Sequence, residues 1–585
     1  IGVDTLVALT GVGFEPGTQV EMVNPVGTRY PADTINVDSS THLTAWFSAA
    51  SVPIGIYSIV ASNSGGDSDQ ITDAFEFTEN LGARFEADLI VPQNLGYHQP
   101  ATIWIEYANT GDVAMPAPLL FLTARQAGRQ AAKMQIDMTL EPKAFWTSAQ
   151  PVGYSDSIQF IAVGNTPGLL QPGESIRLPV QWIGWEQPWF QDDHFTFDLR
   201  VMEADEPTLV DWASLKESMQ PDEIPDDAWE AVWQNFISQV GTTWGDYVSM
   251  LSSNASYLER FGIRLADISE LLSFEFAQAD GLNILRSLAA SSDAYIEAPG
   301  PDVFFRRVFP QAISRRFSNG DFGRGWYHNW QAKCSVATDG TVTVLEANGS
   351  KRIYQPDSRP GGGYFSMAGD HATLTDLGGG VFALKEADGS RRAFMADGKL
   401  DYFEDTNGNR IAAGYTDDRL TSLNHSSGQS LQIAYNGNGR IASITDPVGR
   451  QTNYTYDSSG EHLISAAYFD GSTVSYRYET GGLIQREHAL VETEFPMGRY
   501  QYFSYDDRGR LASASRDDGA ELITFSYDNA GMVGVADAFG NTSRYYLDHN
   551  GMLRKAADPQ GNAIALGYDQ DFNLVEITDP AGFAY

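Results

Sequence analysis

The sequence is short of cysteine and of positive charge. Cys334 is the sole cysteine in 585 residues, so an internal disulfide and a Cys-x-x-Cys metal site are both excluded, although disulfide-free chains occur in any compartment. Lys and Arg total 38 against 76 Asp and Glu, a net charge of -38. A field of that sign repels phosphate backbones and anionic membrane surfaces, so nucleic acid is not an expected partner. No run approaches 18 apolar residues, so no helical membrane span is expected. The chain begins at Ile1 with no Met, signal peptide or lipidation motif, and it reads as an internal fragment of something longer.

What is present is a folded, turn-rich chain: 42% hydrophobic residues and 56 glycines, more glycine than the usual ~7%. The length is enough for roughly four domains. Residues 1–80 alternate short β-rich runs, such as Val20-Glu21-Met22-Val23 and Ile56-Tyr57-Ser58-Ile59-Val60, with turn signals at Pro16-Gly17, Asn24-Pro25 and Gly65-Gly66. That spacing predicts a small antiparallel sandwich. Gly11-Val12-Gly13 does not form a dinucleotide fingerprint, because Pro16-Gly17 leads into a strand and not into a helix. Residues 81–208 repeat the pattern, with Ala101-Thr102-Ile103-Trp104-Ile105-Glu106-Tyr107 alternating inward and outward before the turn Asn109-Thr110-Gly111-Asp112. Across 209–298 the period changes to 3.6: Trp229, Val232, Trp233, Phe236, Ile237 and Val240 lie on one helical face. Further helices are expected through Trp244–Phe261 and behind Asp267-x-x-Glu270. The tryptophan stripe is read as core, and the whole segment as a helical spacer bundle.

From residue 401 onward the sequence repeats itself. Tyr435, Tyr456, Tyr478, Tyr505, Tyr527, Leu547 and Tyr568 recur at intervals of 20 to 22 residues, with one gap of 27. The residue two before each anchor is Ile433, Tyr454, Tyr476, Phe503, Phe525, Tyr545 or Leu566, so anchor and predecessor share one face of a strand. Asp446-Pro447-Val448-Gly449, Asp537-Ala538-Phe539-Gly540, Asp558-Pro559-Gln560-Gly561 and Asp579-Pro580-Ala581-Gly582 close a second strand in each unit. A lone two-stranded hairpin is marginal in water, so the units must pair edge to edge and bury their Tyr and Leu faces together.

These residues carry a resemblance. The Tyr-Asp repeats, the Asp405-Thr406-Asn407-Gly408-Asn409-Arg410 turn and the motif Phe322-Gly323-x-Gly325-Trp326 within Arg315–Trp330 are similar to the RHS/YD-repeat family of bacterial Rhs proteins, toxin-complex cocoons and teneurin shells. The segment Gly11-Val12-Gly13-Phe14-Glu15-Pro16-Gly17 resembles IPT/TIG domains, and Asn109-Thr110-Gly111 resembles CARDB sandwiches. The resemblance implies a mainly β chain: two N-terminal Ig-like β-sandwiches, the helical bundle, a leading RHS β region over 299–400, and a curved antiparallel sheet of YD repeats over 401–585 forming part of a shell. It implies a structural role in a secreted or cell-surface protein, in toxin delivery or intercellular competition, with the rest of its own polypeptide as partner. No segment for plugging such a shell is recognisable in the sequence.

The usual catalytic patterns are missing, including His-Glu-x-x-His, Gly-x-Ser-x-Gly and the phosphate-binding loop. The closest histidines in sequence, His462 and His488, do not have ligand spacing. Asp405, Asn407 and Asn409 imitate the start of a calcium loop, but Arg410 and Thr416 stand where Gly and Glu are required, which leaves a turn on Asn407-Gly408. Cys334 reads as a buried, inert thiol. No enzymatic activity, cofactor or metal is expected. The alternative reading is an adhesin that holds surface glycans or proteins.

Overall fold

A computed structural model describes residues 5–48, 51–77, 82–94, 100–126, 132–136, 154–166, 168–185, 195–265, 267–367, 369–569 and 572–585. The chain is mainly β, with 49% strand and 11% helix.

The first module is two facing sheets. One is built of the strands Thr5–Thr10, His42–Phe47 and Thr34–Ser39, the other of Arg29–Pro31, Gln19–Val23, Gly55–Ser62 and Ser68–Phe77. Alternate residues from both, Val7, Leu9, Leu43 and Phe47 against Val20, Met22, Tyr57 and Ile59, form one core. The second module repeats the plan around Ile103, Ile105, Leu120, Leu122, Phe160, Val180 and Trp182. In it Asn109 is fully buried, and its side-chain amide donates to Val113 O at 2.7 Å and Leu170 O at 3.0 Å. That satisfies a polar side chain which burial would otherwise penalise.

Helices follow at Asp226–Val240, Trp244–Glu259 and Ile268–Ala279. Thr243 caps the second of these through a reciprocal box with Asp246. Trp229 and Trp233 are buried in the helical core. Two features of the helical spacer differ from the sequence reading. The segment 287–296 is a strand, Ser287–Ile296, paired with Val303–Pro310, with register shifts between Ser287 and Ala289 and between Ser292 and Ala294; it buries Leu288, Asp293 and Ile296. The helices are also not a free spacer. They share a core with Leu119 and Ile161 of the second sandwich and with Ile313 and Phe317 downstream. They also reach the repeats, through Tyr257 Oη to Leu547 O at 2.9 Å and Asn235 Nδ2 to Arg508 O at 2.8 Å.

The strands from Thr373–Gly378 to Leu574–Thr578 form one twenty-stranded antiparallel meander, each pairing with its neighbours in sequence. The turns explain the recurring Asp and Gly. Asp446 Oδ1 accepts the amides of Val448 at 3.0 Å and Arg450 at 2.8 Å, and Gly449 adopts φ +84°, a conformation that disfavours any side chain. Asp537 and Asp558 do the same in their own turns, as does Asp405 in the Asn407-Gly408 turn.

The anchor tyrosines do more than fill space. In five of the six the hydroxyl donates to a main-chain carbonyl of the preceding unit: Tyr456 to Ile441 O at 2.7 Å, Tyr478 to Leu463 O at 2.8 Å, Tyr505 to Leu490 O at 2.6 Å, Tyr527 to Leu511 O at 2.8 Å and Tyr568 to Leu553 O at 3.2 Å. Ile441 is itself the cross-strand partner of the previous anchor, Tyr435; Leu463 stands in the same relation to Tyr456. Unit is thus stitched to unit. The series extends one position further back than the sequence reading placed it, since Tyr415 donates to Leu400 O at 2.9 Å.

Removing one stitch separates hydroxyl from ring. In urea unfolding, Tyr456→Phe is expected to lose about 1–3 kcal/mol for the stranded carbonyl, whereas Tyr456→Ser, which also deletes the ring, is expected to lose roughly 3–5 kcal/mol. Equal costs for the two variants would contradict the stitching.

Candidate functional site

The face of the sheet that carries the anchors is covered by the chain's own preceding segment. Along Val303–Pro310, Val303, Phe305, Arg307 and Phe309 are buried while Phe304 and Arg306 are exposed. This is ordinary strand alternation, with an arginine in an apolar position.

Arg307 is fully buried, and its Nε meets Asp293 Oδ2 at 2.6 Å with both side chains at 0% exposure. Asp293 also accepts from Tyr454 Oη at 2.8 Å and Tyr468 Oη at 3.1 Å. Arg307 Nη2 donates to Tyr476 Oη at 2.8 Å, and its guanidinium lies 4.7 Å from the Trp326 ring centroid. Burial alone would lower the Arg307 pKa, but the Asp293 carboxylate outweighs it and holds the guanidinium well above its ordinary value. Desolvating two charges is costly unless hydrogen bonds satisfy them. Here the repeat tyrosines supply those bonds, so the pair is assembled only when hairpin and sheet meet.

The aromatic-glycine motif makes the second set of contacts. Phe322 packs edge-on to Tyr454 with ring centroids 4.9 Å apart, and Trp326 does the same to Tyr476 at 4.9 Å. Trp326 Nε1 donates to Tyr478 Oη at 2.7 Å. A Cβ on Gly323 would stand 2.2 Å from Glu461 O, and one on Gly325 would stand 2.3 Å from the Phe309 ring. Gly323 is therefore a place where motif and sheet touch, and Gly325 one where the motif lies against its own hairpin. Arg316, also fully buried, places its guanidinium 4.4 Å from the Tyr505 ring and donates to Gln311 O at 3.0 Å.

The anchors are brought together on this covered face. Leu431, Ile433, Tyr454, Tyr476, Phe503 and Tyr505 share one core with Phe305, Phe309, Phe322 and Trp326, and Tyr435, Tyr456 and Tyr478 pack against it. Leu547 is buried, while Tyr527 and Tyr568 are half-buried. The segment 287–330 therefore occupies the position of a plug, which sequence reasoning did not find. Its one signal was Arg307, a charge standing at an inward strand position between Phe305 and Phe309.

A third polar cluster lies where the motif meets the sheet. His462 and His488, 26 residues apart, are buried with Nε2 and Nδ1 2.9 Å apart, and His462 Nδ1 sits 2.9 Å from Asp457 Oδ2. Burial would raise Asp457, but hydrogen bonding from His462 and the local amides holds it down at about 2. Burial, with Arg324 and His462 nearby, pushes His488 down to about 4. Cys334 is buried, which raises its thiol to about 11, a range in which it is a poor nucleophile. Among the described residues no three His, Cys, Asp or Glu side chains are grouped to hold a metal ion, and no helix is long and apolar enough to cross a membrane. What this arrangement does is join two layers of chain through buried charge, aromatic contacts and hydroxyls.

Breaking the buried pair from one side, by Asp293→Ala or Arg307→Ala, is expected to cost about 3–5 kcal/mol each in chemical denaturation, and Asp293→Leu with Arg307→Met together less than the sum. Additive losses would show that the two side chains act independently.

The histidines give a pH dependence of defined sign. Folding holds His488 below its unfolded value of 6.5, so the unfolded chain binds the proton first and stability falls as pH drops from about 6.5 toward 4. Glu275 and Asp280 act oppositely, since burial raises them to about 7 and about 6, and their contribution is lost as pH rises from the ordinary carboxylate range through those values. His488→Gln should therefore lose less melting temperature than the native chain between pH 7 and pH 4.5. Parallel curves would exclude His488 as a titrating group.

Comparison with known proteins agrees with the repeat geometry. Residues 435–473 match the family described as RHS Repeat. The chain is 24% identical over 313 residues to the probable deoxyribonuclease RhsB of Dickeya dadantii, covering 48% of this chain and 20% of that protein. It is 26% identical over 264 residues to the double-stranded DNA deaminase toxin A of Burkholderia cenocepacia, covering 44% of this chain and 15% of that protein. The chain thus spans a fifth or less of these relatives. Among solved structures, TcdB2-TccC3-TEV superposes with a TM-score of 0.26 at 13% identity over 45% of this chain and 16% of that one, and TcdB2-TccC3-Cdc42 with 0.26 at 12% over 50% and 18%. The hairpin units and Tyr-Asp anchors thus coincide with a segment, residues 435–473, that carries an RHS repeat.

Proposed function

We propose that this chain is the non-enzymatic, shell-forming part of a larger secreted or surface-exposed RHS protein, in which the repeat sheet encloses a further segment of the same polypeptide and the two sandwiches project from it. The observation that carries this reading is the uneven covering of the anchor face. From Leu431 to Tyr505 it is sealed by the chain's own hairpin and motif. Beyond that, inward positions lie open: Ile523 is 39% exposed, Ile564 40% and Ile577 39%. A row of apolar side chains on the concave side of a growing sheet calls for more chain of its own kind to bury it.

The two relatives support the reading by the nature of their named activities. One is a probable deoxyribonuclease and the other a DNA deaminase toxin, whereas the portion shared with this chain is a repeat scaffold whose buried polar groups are spent on holding layers together. A toxic segment and its container are then separate parts of one polypeptide. With a net charge of -38, the container part has no electrostatic means of gathering nucleic acid.

Limited proteolysis of the longer native polypeptide tests this. A segment C-terminal to residue 585 is expected to resist protease while the repeats are folded and to become cleavable at the urea concentration that melts them. Digestion of that segment at the same rate before and after melting would reject enclosure.

A further inference from the structure

A cleft of about 300 Å³ lies between the loop that carries the aromatic-glycine motif and the first repeats. Its size falls at the small end of the range for ligand pockets, roughly 300–1,000 Å³. Its charge is opposite to that of the molecule: Lys333, Lys399, Arg419 and Arg440 line it, against the carboxylates of Asp321 and Asp418.

Both carboxylates are engaged. Asp321 Oδ2 lies 3.0 Å from His328 Nε2, whose other ring nitrogen accepts the Trp330 amide at 3.2 Å, so His328 directs its Nε2 proton at Asp321. Asp418 pairs with Lys399 at 2.5 Å. The remaining cations form no ion pair among the described residues, although Lys333 acts on Asp321 at longer range. Arg440 donates to the carbonyls of Gly320 at 2.7 Å and Gly460 at 2.8 Å. Arg419 stacks 5.4 Å from the centroid of Tyr435 and forms no ion pair among the described residues, and neither does Lys333. Beneath Arg419 the Tyr435 hydroxyl is buried against the Leu420 backbone, whereas the anchors on either side donate to carbonyls.

We propose that this cleft is a binding site for a small hydroxylated phosphate monoester, a sugar phosphate in size and chemistry. Arg419 and Lys333 supply two donors outside any ion pair for the dianion, and a charge-assisted hydrogen bond of that kind is the strong kind. Asp321 and Asp418 keep acceptor capacity for hydroxyls, and Trp330 and Tyr415 give the cleft aromatic walls of the sort sugars lie against. The cleft shares no lining residue with the Arg307–Asp293 pair, although its His328 is the cross-strand partner of Arg307, and it does not depend on what the shell encloses.

Isothermal titration calorimetry on the 585-residue chain, with glucose 1-phosphate, inorganic phosphate and glucose as separate titrants, tests it. Glucose 1-phosphate is expected to saturate one site, more tightly than either of the other two, and to weaken as NaCl is raised. Arg419→Gln and Lys333→Gln, both at exposed positions, are each expected to weaken binding about tenfold or more, with the melting temperature unchanged. Arg200→Gln, on the second sandwich, should bind as the native chain does. No saturable heat with glucose 1-phosphate, an affinity equal to that of phosphate or of glucose, or unchanged binding in both cleft variants would each overturn the proposal. Should one variant fail to fold, the other decides.

Discussion

A tyrosine buried in a sheet brings a hydroxyl that must find an acceptor, and the architecture of the long sheet follows from how that need is met. The period-two alternation of each strand turns the anchor ring inward. Once there, its hydroxyl reaches the carbonyl of the residue that faces the previous anchor, as Tyr456 reaches Ile441 and Tyr478 reaches Leu463. One residue type thereby supplies apolar area, a hydrogen bond and the link between neighbouring units. A repeat of this kind is stable only as an array, because each acceptor belongs to the hairpin before. Where the anchor is Leu547, the carbonyl of that same residue is bound instead by Tyr257 of a helix, and the array acquires a contact from outside.

An inward aromatic face in turn requires a cover. The hairpin Ser287–Pro310 and the motif that follows fit it by the same chemistry. Arg307 and Asp293 would be an unsupported buried pair on their own, and the repeat hydroxyls of Tyr454, Tyr468 and Tyr476 complete them. Gly323 and Gly325 let the backbone approach where any side chain would collide. Residues some 130 to 175 positions apart in sequence become one layer boundary. The helices extend that boundary toward the later repeats and tie it to the second sandwich, so the second sandwich, the helices and the later repeats share one core.

Much of this fold was legible in the residues. The anchors, their predecessors at two residues back and the Asp-x-x-Gly turns all express local rules, and local rules survive in a single sequence. Tyr415 stands 20 residues before Tyr435 and fits the same interval, but it lies outside the run of anchors read from the sequence. The strand at 287–296 falls inside the 209–298 bounds of the helical spacer because nothing marks a boundary at Ser287-Leu288-Ala289-Ala290, a run of residues at home in either state. The plug was not legible for a different reason: its contacts are long-range, and partners such as Arg307 and Tyr476 carry no mark of each other. The same holds for His462 and His488, which spacing alone set apart and the sheet brings within 2.9 Å.

The central claim is that repeats and cover form one cooperative unit. Native-state hydrogen exchange measures this most directly, by comparing the amides of Gln451–Tyr456 and Thr473–Glu479 with those of Val303–Pro310. The account predicts that all three segments open with one common free energy, and that Arg307→Met lowers it for all of them equally. Independent exchange of the hairpin, with the repeat strands left at their native protection, would contradict it.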